Sequence, residues 1–170
     1  MEMNSRKVLD GDAIEIIVLR MAYQVYEQFC EYDNLVILGV DGEGFVLAEK
    51  LKKQLDKMNQ LPSTLYKLQL NKHESKKPEI TFNPSLPNLN GKPVLLVDDV
   101  LNSGRTLTYC LSPLVEYEIP SLKIAVLVER IYRKFPVSSS ITGLPLSTTF
   151  EENVIAVLNP AVGEVGVFLM

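Results

Sequence analysis

At 170 residues and 46% hydrophobic content, the chain is long enough to bury one core and too short to suggest several domains, so residues 1–170 read as a single domain. A net charge of −4 does not suit a general nucleic-acid binder, no apolar run approaches the length of a membrane span, and the opening MEMNSRKVLD lacks the apolar core of a signal peptide. Cys30 and Cys110 lie far apart in expected helices and read as buried reduced thiols rather than a disulfide, which makes the cytoplasm the expected compartment.

Val8 and Leu9 suggest a short edge segment. Asp12 reads as an N-cap with Glu15 three residues on, and Ile14, Ile17, Val18, Met21, Val25 and Phe29 recur at helical spacing, so a helix is expected over 13–30 with that stripe in the core. LVILGV at 35–40 reads as a strand, DGEG as a tight turn, and 45–58 as a second helix with Leu47, Ala48, Leu51 and Leu55 inside. The glycines of that turn suit a place where backbone passes close to a ligand. A further strand is expected over 64–70. Residues 71–90 carry prolines and three lysines without periodicity, which suits a lid; His73, the sole histidine, reads as solvated. Eight lysines fall between residues 50 and 77, a run read as a solvated face and a loop.

The chain is organised around PVLLVDDVLNSGRT, which starts at residue 93. Val94, Leu95, Leu96 and Val97 form a continuous apolar run, as a parallel strand covered on both faces requires. Asp98 and Asp99 follow, then an expected turn from Val100 to Ser103 and, after Gly104, a helix from Thr106 onward, interrupted near Pro113. In an open α/β sheet, ligands bind beyond the carboxyl ends of the strands. Backbone N–H groups of a loop built on Ser103, Gly104 and Thr106 can converge on one phosphate, and two carboxylates suit the hydroxyls of a sugar. The combination describes a ribose-5-phosphate site. Another buried strand is expected over 122–128, with Glu129, Arg130, Ile131, Tyr132 and Arg133 at its carboxyl end. Short apolar pieces at 137–142, 154–158 and 165–169 read as peripheral strands, antiparallel by expectation.

The stretch VLLVDDVLNSGRT resembles the phosphoribosyl pyrophosphate (PRPP) signature of the type I phosphoribosyltransferases. With VLDGDAI, GVDGEGFVLAEKL and IAVLVERIYRKFP, the resemblance covers nearly the whole chain and narrows to the bifunctional pyrimidine-operon attenuators that are also uracil phosphoribosyltransferases. It implies an α/β fold with a central, mainly parallel sheet flanked by helices, a small hood and a flexible lid loop. It implies a Mg²⁺-dependent transfer of the phosphoribosyl group from PRPP to a nucleobase, uracil in that subfamily, with release of pyrophosphate. Asp98 and Asp99 would meet the ribose hydroxyls, either being a candidate metal ligand. Val100, Leu101, Asn102, Ser103, Gly104, Arg105 and Thr106 would hold the PRPP phosphate. Asp41, Gly42, Glu43 and Gly44 would form the pyrophosphate loop, and Val128, Glu129 and Arg130 would lie beside the base. The hood would include ITGLPLST at 141–148, and Lys72, Lys76 and Lys77 would meet pyrophosphate when the lid closes. The resemblance also implies a homodimer. The relatives carry lysine and arginine where Asp41 and Glu43 stand, and a lysine–asparagine pair where Leu144 and Pro145 stand. Two alternatives follow: an RNA-binding regulator, supported by the lysines and opposed by the acidic balance, and a PRPP-binding sensor of low turnover.

Overall fold

The computed structural model describes residues 6–71, 78–131, 133–149 and 152–170. Among the described residues, nine strands and three α-helices follow in the order β1 (Arg6–Asp10), α1 (Gly11–Phe29), β2 (Leu35–Val40), α2 (Glu43–Met58), β3 (Ser63–Asn71), β4 (Glu79–Asn83), β5 (Val94–Leu101), α3 (Arg105–Leu111), a 3₁₀ turn (Leu114–Glu116), β6 (Leu122–Arg130), β7 (Ile141–Leu146), β8 (Val154–Val157) and β9 (Gly166–Leu169). Six strands form the main sheet in the order β4-β3-β2-β5-β6-β7, parallel except for β4 at one edge. A separate antiparallel sheet, β1-β9-β8, joins the two ends of the chain.

Alternation along the central strands divides their side chains between two cores. Leu35, Ile37, Leu95 and Val97 face α1, α2 and the small sheet, whereas Val36, Leu38, Val40, Leu96 and Val126 face Leu107 and Cys110 of α3. Burial on both faces is why β2 and β5 read as unbroken apolar runs. It also fixes the site. The chain leaves β2 through α2 towards β3, and leaves β5 through α3, on the opposite face, towards β6. The order of the sheet reverses between β2 and β5, so a crevice opens between their carboxyl ends.

The structure alters several expected boundaries. Asp10, not Asp12, caps α1, accepting a hydrogen bond of 2.9 Å from the Ala13 amide, because β1 delivers Asp10 in extended geometry (φ −93°, ψ 176°). Strand β5 continues through Val100 and Leu101, which pair with Val128 and Glu129 of β6; the turn is confined to Asn102, Ser103 and Gly104. β6 likewise includes Glu129 and Arg130. Helix α3 ends at Leu111, ahead of Pro113. The expected lid contains β4, paired with β3; residues 72–77, with His73, Lys72, Lys76 and Lys77, lie outside the described residues. Residues 141–146 are not hood: they form β7, parallel to β6, and the hood is the small sheet β1-β9-β8. Cys30 is exposed, while Cys110 is buried and its thiol is pushed up to about 12 by that burial.

Candidate active site

At the end of β2, the Asp41 amide donates to the Leu68 carbonyl (2.8 Å), which extends the β2–β3 ladder by one bond. The Asp41 carboxylate accepts from the Gly42 amide (3.0 Å) and the Gln69 side chain (3.3 Å) and pairs with Lys67 (3.1 Å), whose ammonium sits 4.6 Å from the centre of the Phe45 ring. Burial alone would raise its pKa; the hydrogen bonds and the Lys67 charge outweigh it and hold Asp41 below the usual range. Gly42 turns the chain at φ +96°, a conformation open mainly to glycine. Glu43 and Gly44 already belong to α2, so the expected four-residue loop is a loop of two.

The other two have structural work. A Cβ on Gly44 would lie 2.8 Å from Asp98 Oδ1 and 3.0 Å from Asp98 Cα, so this glycine lets α2 approach β5. Glu43 Oε2 accepts from the Leu158 and Asn159 amides (2.6 and 3.1 Å), tying the start of α2 to the connection between β8 and β9.

At the end of β5, Asp98 is buried and its Oδ1 accepts from the Asp99 amide at 3.0 Å. Burial, with the Asp99 charge beside it, pushes Asp98 well above the ordinary carboxylate range. Asp99 is also raised, chiefly by burial, and the Glu43 charge adds to this. The loop beyond is held from behind. The Ser103 carbonyl accepts from the Lys134 and Phe135 amides (3.1 and 3.0 Å), and Ser103 Oγ accepts from the Arg105 amide (3.3 Å). Gly104 has φ +82°, and a Cβ there would stand 3.3 Å from Phe135. These bonds leave the inner side of the loop to a cleft of about 480 Å³, a size suited to a small-molecule ligand. Asp98, Asp99, Val100, Leu101, Asn102, Ser103, Gly104, Arg105 and Thr106 all line it, with Asp41 opposite.

Val128, Glu129 and Arg130 do not line this cleft. Val128 is buried in the core. The Glu129 carboxylate accepts from Ser139 Oγ (2.7 Å) and Thr142 Oγ1 (2.8 Å) and pairs with Arg133 (2.8 Å); burial opposes ionisation, but these partners hold its pKa below the usual range. Arg130 is buried, with its guanidinium committed to Asn102, Thr148 and Thr149. Tyr132 lies outside the described residues. Sequence reasoning missed Val154, Ile155 and Ala156 of β8, which form the hood side of the cleft. The available signal was a short apolar strand, which reads the same wherever it packs.

The phosphoribosyl transferase domain pattern matches residues 4–158. The chain belongs to this family. Among curated relatives, the Bifunctional protein PyrR of Gloeothece citriformis is 33% identical over 165 residues, covering 92% of each chain, and that of Microcystis aeruginosa is 30% identical over 172 residues, covering 96% of each. Hypoxanthine phosphoribosyltransferase of Trypanosoma cruzi superposes with a TM-score of 0.75 at 18% identity, over 89% of this chain and 81% of that one. A hypoxanthine-guanine phosphoribosyltransferase from Bacillus anthracis gives 0.73 at 20% identity, over 90% and 88%. At such identities the structures establish the fold.

Within this phosphoribosyl transferase domain, the Glu43 carboxylate explains an acid beside the crevice without reference to ligand: it satisfies two amides where the small sheet joins the main body. Glu43→Arg is expected to leave both amides unpaired, Leu158 being buried, and to lower stability by about 1–3 kcal/mol. Thermal unfolding followed by circular dichroism checks this; an unchanged melting temperature would contradict the latch.

Proposed function

We propose that the protein is a Mg²⁺-dependent phosphoribosyltransferase that binds PRPP in the cleft between β2 and β5 and transfers the phosphoribosyl group to a nucleobase, uracil by preference, releasing pyrophosphate. The observation that carries this reading is the coincidence of an acidic pair and a braced glycine-hydroxyl loop at the point where the sheet reverses. Asp98 and Asp99 are the acceptors for the ribose diol. Amides and hydroxyls of the loop at 102–106 hold the 5-phosphate. Displacement at the anomeric carbon needs no protein nucleophile; binding, orientation and exclusion of water are what the chain supplies. The base would lie on the hood side, near Ile155.

Among the described residues no group of three His, Cys, Asp or Glu side chains is gathered for a metal. The pair nevertheless fits Mg²⁺ arriving with its substrate, since that ion needs one or two carboxylates besides phosphate oxygens and water, and a buried and a half-buried acid with raised pKa gain from a nearby cation. Asp98 or Asp99 would hold it, and it would supply charge neutralisation for the departing pyrophosphate. A homodimer working in the cytoplasm completes the reading. The exposed Ile16, Leu19 and Tyr23 on α1 support a second copy, and no described helix is long and apolar enough to cross a membrane.

The second reading, an RNA-binding regulator that senses nucleotides, draws on the bifunctional relatives. Three of the eight lysines count against it: Lys50 pairs with Glu15, Lys52 with Asp56 and Lys67 with Asp41, so those three charges are neutralised locally. Calorimetric titration with PRPP and Mg²⁺, followed by a pyrophosphate-release assay across nucleobases, tests the proposal. PRPP binding with turnover of uracil is expected. Binding without turnover of any base would favour the sensor, and no binding would overturn both.

A further inference from the structure

Arg130 is the last residue of β6 and is 7% exposed. Its Nε donates to Thr148 Oγ1 (2.7 Å), one Nη to Asn102 Oδ1 (3.1 Å) and the other to the Thr149 carbonyl (3.0 Å). A guanidinium has donors only, in a rigid planar fork. Two consequences follow. Asn102 must turn its oxygen to Arg130, so what its amide offers the cleft is the Nδ2 donor pair, which has no partner among the described residues. And the fork joins the loop after β5 to the connection that leads from β7 into the hood strand β8. All three acceptors are neutral oxygens, and the carboxylate of Glu152 acts on Arg130 only from beyond Thr149, to whose amide it is bonded at 2.6 Å. A cation buried among neutral partners is costly to hold. An anion bound on the far side of Asn102 would offset that cost through the polarised amide.

Resting on the transferase reading above, we propose that Arg130 is a positioning residue: it sets the Asn102 amide as a hydrogen-bond donor to an anionic oxygen of the phosphoribosyl ligand and locks that loop in register with the hood. The side chain acts without touching the ligand. Arg105 carries a positive charge on the loop itself, where solvent screens it; Arg130 adds one behind the loop, where screening is weaker. Because one fork holds both segments, filling the phosphoribosyl half of the cleft and fixing the hood side become one event.

The test combines Arg130→Lys, Asn102→Ala, the double variant and Thr148→Val. Arg130→Lys keeps the charge and loses the fork; Thr148→Val removes one bond in a residue that does not line the cleft. Titration with PRPP and Mg²⁺ is expected to show about tenfold weaker binding for Arg130→Lys and for Asn102→Ala. In the double variant no further loss is expected, because Arg130 acts through Asn102. Additive losses would overturn the proposal, as would unaltered binding in Arg130→Lys. Hydrogen exchange without ligand is the second measurement. Asn102→Ala and Thr148→Val should each speed exchange at both 102–106 and 148–149, since each removes one prong of the same fork. Exchange altered only beside the substituted residue would refute the coupling, whether or not the wild-type protein binds PRPP. Failure of the wild type to bind PRPP would overturn the transferase reading and the ligand half of this one.

Discussion

Replacing Gly143 by alanine is expected to remove about 3 kcal/mol of stability, the upper part of the range for overpacking. Gly143 lies in the middle of β7, between Thr142 and Leu144, which pair with Val126 and Val128 of β6. A Cβ at this position would stand 2.4 Å from the Leu127 carbonyl oxygen and 2.8 Å from Cγ2 of Ile17 on α1. The first contact is with backbone in a parallel ladder, so it cannot be relieved by a change of rotamer; β6 and β7 must separate or α1 must lift. Arg20 of α1, which donates to the Gly143 carbonyl, would be displaced as well. At two to four degrees per kcal/mol for a chain of this size, the melting temperature should fall by roughly 6–12 °C. A scan by circular dichroism measures it, and a melting temperature within a degree of wild type would mean that α1, β6 and β7 do not pack this way. Arg130 lies three residues beyond Leu127 on the same strand, so PRPP binding should weaken in parallel.

The parts of this architecture that were legible in the sequence are those with a local cause. LVILGV, VLLV and LKIAVLV could be assigned because strands covered on both faces need apolar residues at every position. Helices α1 and α2 followed from their apolar spacing, and the lining of the cleft between β2 and β5 followed from acids and a glycine-hydroxyl loop placed directly after a strand. What the sequence hid has non-local causes. Asp98 and Asp99 interrupt the apolar run of β5, although the backbone ladder with β6 continues to Leu101; a carboxylate inside a strand gives no sign of whether its strand goes on. The hood unites Arg6 with Leu169 and Val154 with Leu169, pairings that no pattern in either segment specifies. Residues 141–146 contain Pro145 and so resemble a peripheral piece; the proline is tolerated because β7 is the edge of the main sheet. Glu43 stands in the expected pyrophosphate loop with nothing local to explain an acid there, because its partners, the amides of Leu158 and Asn159, lie 115 and 116 residues away. Arg130 was legible as a residue near the site but not as one facing away from the cleft.

Asp98→Asn is expected to make the protein more stable at neutral pH and nearly inactive. Burial and the neighbouring Asp99 raise the folded-state pKa of Asp98 well above its ordinary value of 3.8. A carboxyl raised in this way binds its proton more tightly in the folded chain than in the unfolded one. Its contribution to stability is therefore fully present below the unfolded value and is lost as pH rises through the folded one. At pH 7 the wild type has lost stability through this group. Asparagine removes the titration, keeps an oxygen for the Asp99 amide, and gives the Asp99 carboxylate an N–H to accept. A gain on the order of 1 kcal/mol, or about 2–4 °C, is expected at pH 7, in keeping with the usual exchange between stability and activity at a site. At pH 3, where the wild-type group is protonated in both states, the difference should vanish. Activity should move the other way. Losing a charged acceptor for the ribose diol removes hydrogen bonds of the stronger, charge-assisted kind, and kcat/KM for PRPP should fall by about 10²-fold. Melting temperatures of both proteins between pH 3 and pH 8, with pyrophosphate release at pH 7, give both halves of the result. A variant less stable than wild type at pH 7 would show that Asp98 is held ionised by a partner, and unaltered turnover would remove it from the ribose subsite.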